Sequence, residues 1–191
     1  MNLVARRGQR MSVAEFIEMI RPYPDEERWE LLDGEPVLMA PQSERHQTIV
    51  ANLLLALSPA ARKQGGRVLP GLGILNDAVD DYAPIPDLVV RCGPPLPDGY
   101  SRDPVLIAEV LSPSTRNNDR GRKADFYETL PSLRTFMIVH QDEVRIEAWQ
   151  RDGDAWRVRT YREGDTIDLP ELGTTLSLAA VYAGVPPFDP A

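Results

Sequence analysis

Glu109 lies inside the run Val105-Leu-Ile-Ala-Glu-Val-Leu111, and Asp87 follows Pro86 and opens the run Leu88-Val-Val90. A lone carboxylate among apolar side chains loses its hydration and costs several kcal/mol to bury unless a cation answers it. Two readings are open. The carboxylates sit at strand mouths, solvated or paired with an arginine, and Pro-Asp is also ordinary turn chemistry. Alternatively they converge on a divalent ion, and two carboxylates with further oxygen ligands suit Mg²⁺ or Mn²⁺. Downstream, Arg116, Arg120, Arg122 and Lys123 form a local basic patch. Lys123 follows Asp119 and precedes Tyr127 by one helical turn each, so on a helix the three share a face. That face either points back at the strand mouths or is simply solvated. Glu30 and His46 are weaker candidates. His46 falls in the first turn of a helix, where the dipole disfavours a charged imidazole, which leaves a neutral ligand, a base or a structural residue. His140 ends an apolar run and suggests no role.

The elements that must position these groups can be read from periodicity and punctuation. Ser12 with Glu15 forms a capping box for a short helix over 13–20. Asp33-Gly34 between 29–32 and 36–39 predicts a hairpin with a type I′ turn. Ser43 caps a long helix over 44–64, with Ile49, Val50, Leu53, Leu54 and Leu57 at helical spacing and Pro59 expected to kink or shorten it. Strands are expected over 67–75, 87–91 and 105–111, a helix over 118–130, and a buried strand over 135–139. Arg151-Asp-Gly-Asp154 marks a second hairpin between 144–150 and 156–161. The stretch from Leu169 on predicts an edge strand and a last helical turn. The order fits an α/β (α+β) domain: a central mixed sheet flanked by helices, with hairpins added at both ends.

Composition bounds the function classes. The 191 residues suit one domain, and 42% hydrophobic with 26% charged residues suits an ordinary core. The net charge of −8 and pI near 4.8 oppose phosphate backbones on average, so nucleic-acid binding needs a local basic patch. One cysteine, Cys92, and two histidines exclude an internal disulfide and a structural zinc site. The basic N-terminus has no apolar segment behind it, and no apolar run approaches the ~18 residues of a membrane span, so a cytoplasmic protein is expected.

The ordered set of Glu30-Leu-Leu-Asp-Gly-Glu35, Ser43-Glu-Arg-His46, Pro86-Asp-Leu88, Glu109-Val-Leu-Ser-Pro-Ser-Thr115 and the Asp119, Lys123, Tyr127 spacing resembles the Uma2 family, over roughly residues 12 to 182. The resemblance implies a PD-(D/E)XK restriction-endonuclease-like fold and a Mg²⁺- or Mn²⁺-dependent endonuclease acting on nucleic acid, DNA in the first instance. It also implies that Asp87, Glu109 and the carbonyl of Val110 hold the metal. A lysine normally stands two residues after the glutamate, where this chain has Leu111. The resemblance assigns that role to Lys123, places Glu30 and His46 along the same cleft and suggests a homodimer. Arg116, Arg120 and Arg122 are then candidate nucleic-acid contacts. Because fold does not establish function, a catalytically silent binding or oligomeric module is the alternative.

Overall fold

The computed structural model describes residues 10–24, 26–97, 99–111 and 119–186, without the side chains of residues 119 and 120. Helix α1 (Val13–Ile20) starts at the expected capping box: the Glu15 N–H donates to Ser12 Oγ, and the Ser12 N–H donates to the Glu15 carboxylate. Strands β1 (Trp29–Leu32) and β2 (Glu35–Leu38) form the first hairpin. Its turn residues Asp33 (φ 51°) and Gly34 (φ 77°) both have the positive φ of a type I′ turn. A bridge between Leu31 and Ala83 ties the hairpin to the body of the molecule.

Ser43 caps helix α2 (Glu44–Lys63), which runs through Pro59 instead of ending there. The proline removes the donor that would serve the Leu55 carbonyl, and Leu55 is 68% exposed, so water can replace that donor. The expected strand over 67–75 is two strands, β3 (Gly66–Pro70) and β4 (Gly73–Ile74), broken at Gly71 with its φ of 65°. Then come β5 (Leu88–Cys92), β6 (Tyr100–Ser101) and β7 (Pro104–Leu111). The helix expected over 118–130 is a π-helical turn at Asp119–Lys123 followed by a short α3 (Ala124–Glu128). Gly121 is a poor helix former, and a π-turn relieves the need for regular helix there. Strands β8 (Thr135–His140), β9 (Arg145–Asp152) and β10 (Ala155–Arg162) complete the sheet. In place of an edge strand, the C-terminal region holds a separate hairpin, β11 (Thr166–Leu169) with β12 (Thr174–Ser177), and a last turn, α4 (Leu178–Val181).

The central sheet has six strands in the order β10-β9-β8-β7-β5-β3. Only β7 and β8 run parallel, with Glu109 opposite Ile138 and Leu111 opposite His140. Alternation along these strands divides the core in two. Leu88, Val90, Leu106, Ala108, Val110, Met137 and Val139 pack under α2 and the C-terminal hairpin. Val89, Ile107, Leu111, Phe136 and Ile138 face α3. Glu109 falls between Ile107 and Leu111 in that alternation, so it belongs to the α3 face. The first layer sets stability: Leu53→Ala, at a fully buried site on α2, should cost about 2–5 kcal/mol. Urea denaturation should show a lower midpoint with an unchanged slope. A cost below about 1 kcal/mol would mean that α2 is not seated as described. No helix among the described residues is long and apolar enough to cross a membrane.

Candidate metal and catalytic centre

Asp87 stands just before β5, level with the far end of β7. Its Oδ2 accepts the Val110 N–H at 2.7 Å and lies 3.1 Å from His46 Nε2 in the first turn of α2. The Val110 backbone is thus at the site, with its N–H fixing Asp87. His46 is almost fully buried, and its Nδ1 has no hydrogen-bond partner among the described residues. On β7, the side chain of Glu109 sits under α3. Its Oε1 accepts the Tyr127 hydroxyl at 2.6 Å and lies 3.3 Å from Lys123 Nζ. Lys123 is the last residue of the π-turn and only 5% exposed. Its ammonium also lies 3.2 Å from Glu30 Oε1, which accepts the Ile85 N–H at 2.8 Å. His46, Asp87 and the Val110 N–H form one polar chain and Tyr127, Glu109, Lys123 and Glu30 a second, and the β7 backbone from Glu109 to Val110 joins them into one network.

Burial pushes the Glu109 carboxyl up to about 8; Lys123 opposes the shift, and the neighbouring Asp87 and Glu30 add to it. Burial, then the Glu109 carboxylate, holds the Tyr127 phenol well above its usual range, so it stays a hydrogen-bond donor. Lys123 Nζ lies within 3.3 Å of both Glu30 and Glu109, whereas Asp87 has His46 Nε2 beside it at 3.1 Å. Each of the three carboxylates has one oxygen held by protein donors. Asp87 Oδ1, Glu109 Oε2 and Glu30 Oε2 make no hydrogen bond to the described residues. An excess of hard oxygen donors with unused lone pairs is a donor set that fits a Mg²⁺-like ion.

The sequence reasoning brought Asp87, Glu109, Lys123, Glu30 and His46 forward, and the structure places all five in this network. It also noted Tyr127 on the face of Lys123 but gave it no task, although the i, i+4 spacing was the available signal. Arg122 is engaged by the first hairpin and its neighbour: its Nε lies 2.7 Å from Asp33 Oδ1, and its guanidinium stacks over the Tyr82 ring at 5.4 Å. Arg116 and the side chain of Arg120 lie outside the described residues. A second group, His140, Asp142 and Glu143, has ligand atoms within 4.8 Å of one another. There the Arg145 Nη2 already stands 2.8 Å from Glu143 and 3.1 Å from His140 Nδ1, so a guanidinium supplies the positive charge.

The comparisons agree with this architecture. A curated protein of Synechocystis, "Uncharacterized protein slr1290", is 29% identical over 167 residues, covering 83% of this chain and 85% of that one. A second, "Uncharacterized protein sll1609" of the same organism, is 27% identical over 163 residues, covering 83% and 91%. Among solved structures, a protein of Anabaena variabilis described as "a putative nuclease belonging to DUF820" superposes with a TM-score of 0.71. It is 15% identical and covers 90% of this chain and 97% of its own length, a likeness of fold. The family model Uma2, "Putative restriction endonuclease", matches residues 13–180, a span that takes in the hairpin with Glu30, both carboxylate strands and the π-turn with Lys123. With a match over most of its length, the chain belongs to the Uma2 family of restriction-endonuclease-like proteins.

Proposed function

We propose that this protein is a divalent-metal-dependent endonuclease that hydrolyses phosphodiester bonds in DNA. The observation that carries the reading is the buried centre: Asp87 fixed by His46 and the Val110 N–H, and Glu109, the adjoining residue of β7, with Lys123 between it and Glu30. Asp87, Glu109 and the Val110 carbonyl would hold the metal, Mg²⁺ or Mn²⁺. When bound, such an ion acidifies a water and neutralises phosphate charge. The protein's own groups do the rest. His46 and the Val110 N–H fix Asp87 Oδ2 and leave Oδ1 for the metal. Tyr127 and Lys123 do the same for Glu109. The Lys123 ammonium offers positive charge where the phosphate gathers negative charge as the water oxygen bonds to phosphorus. The attacking water gives up a proton to solvent, the bond from phosphorus to one deoxyribose oxygen breaks, and that oxygen takes a proton from solvent as it leaves. Two copies acting together would reach both strands of a duplex.

Relaxation of supercoiled plasmid by purified protein with Mn²⁺, and its absence in EDTA, tests the reading. The raised Glu109 carboxyl gives a second check. A bound cation must displace that proton, so Mn²⁺ affinity should rise with pH towards about 8 and level off above it. Calorimetry in buffers of different ionisation enthalpy reads the released proton. A pH-independent affinity without proton release would contradict a metal at Glu109.

A binding module without cleavage is the second reading. It is favoured by the net charge of −8 and by the pairing of surface arginines with acids, as in Arg122 with Asp33 and Arg102 with Asp77. Metal binding without any nicking would select it.

A further inference from the structure

The catalytic lysine is not on the strand beside its carboxylates, so something must hold its long side chain in the cleft. We propose that the N-terminal hairpin is that device, and that Glu30 is the positioning residue for Lys123. This inference rests on the reading of Asp87, Glu109 and Lys123 as the working centre.

Two contacts at successive residues carry it. Asp33 in the hairpin turn lies 2.7 Å from Arg122 Nε, and Glu30 in β1 lies 3.2 Å from Lys123 Nζ. The hairpin thereby grips the last two residues of the π-turn, which lacks the regular bonding of an α-helix. Glu30 can pull because it is itself anchored. Its Oε1 takes the Ile85 N–H at 2.8 Å, and the next residue, Leu31, is fully buried and bridged to Ala83. The turn that sets this geometry needs positive φ at both Asp33 and Gly34. A side chain at Gly34 would meet Arg10 Cβ at 2.5 Å, so the hairpin is also fixed from its outer side.

Glu109 cannot serve alone as the tether. Its Oε1 already accepts the Tyr127 hydroxyl, and a cation held by Glu109 would weaken its attraction for an ammonium. Glu30 supplies an attraction that does not depend on the state of Glu109. The role is one of position: Glu30 acts through Lys123 and need not touch the scissile phosphate.

The chain contains only two lysines, Lys63 and Lys123, and this gives a clean experiment. Lys63 is exposed at the end of α2, whereas Lys123 is buried. Brief acetic anhydride labelling of the metal-free protein, read by mass spectrometry, should modify Lys63 readily and Lys123 slowly. E30Q keeps an acceptor for the Ile85 N–H but removes the charge. It should raise Lys123 labelling several-fold and leave Lys63 unchanged, with D33N moving the same way by less. E30A should go further than E30Q. Turnover should fall towards ~10²-fold in E30A, the usual scale for a misplaced catalytic group, with KM and Mn²⁺ affinity little altered. Unchanged Lys123 labelling in E30Q would overturn the proposal, even if E30A failed to fold. So would a loss of Mn²⁺ binding in E30Q as large as in Asp87→Ala, since Glu30 would then be a ligand. If the wild type cuts nothing, the nuclease reading fails, but the labelling still decides whether Glu30 holds Lys123.

Discussion

Lys123→Ala should lower the rate of cleavage by ~10²–10³ and leave Mn²⁺ bound at least as tightly as in the wild type. Lys123 is 5% exposed, and its ammonium stands 3.3 Å from Glu109 Oε1. An ammonium has no lone pair, so it contributes charge and hydrogen bonds but no metal ligand. On the proposed reading, its removal takes away a donor to the reacting phosphate and also a cation that competes with the metal for Glu109. Calorimetry should therefore show unchanged or higher affinity while plasmid relaxation nearly stops. Lys123→Arg should rescue poorly, because the planar fork is larger and differently hydrated than the compact ammonium it replaces. Full activity in Lys123→Ala, or loss of metal binding along with activity, would remove Lys123 from the role.

Asp87→Ala should abolish both metal binding and cleavage. Loss of a partner outside the ligands typically costs ~10–100-fold in metal affinity, and loss of a ligand should exceed that. A structural effect travels with it. The Val110 N–H at 2.7 Å and His46 Nε2 at 3.1 Å both lose their acceptor. Leaving a buried donor unmet costs about 1–3 kcal/mol, so the alanine variant should also melt earlier. Asp87→Asn separates the two effects. It keeps an acceptor for Val110 and the fold with it, yet removes the charge that holds the cation. An Asp87→Asn protein that binds Mn²⁺ like the wild type would show that the metal sits elsewhere.

The carboxylates were legible because they break a pattern. An acid inside an apolar strand run requires an explanation, and Glu109 has one in Lys123 and Tyr127. The first hairpin was legible because Asp-Gly admits few other conformations, and α2 because its apolar residues recur at helical spacing. Pro59 misled, since local chemistry alone does not say whether the carbonyl it deprives faces water. The single strand expected over 67–75 failed at Gly71, where one positive φ outweighs a continuous apolar pattern. The region around Lys123 reads as helix from its side-chain spacing, yet Asp119–Lys123 is a wider π-turn. Spacing by four fixes which residues share a face, but not how many backbone atoms close each ring. The grip of Glu30 and Asp33 on that turn is tertiary, joining residues about ninety positions apart, and no local pattern encodes it.

Leu111 occupies the place on β7 where a strand-borne lysine would stand, and it is 3% exposed within the apolar layer that faces α3. With the lysine on the π-turn, the ammonium reaches Glu109 from the turn and not from β7 itself. This placement means that one substitution on a turn can silence chemistry without touching the strands that hold the carboxylates. On the proposed reading, a lineage could therefore drift from scissors to clasp, keeping an ion and a grip on phosphate while losing the power to cut. If the proposed nuclease reading holds, the same arrangement makes the Lys123→Ala protein a bait for capturing the nucleic acid that the wild type would cut.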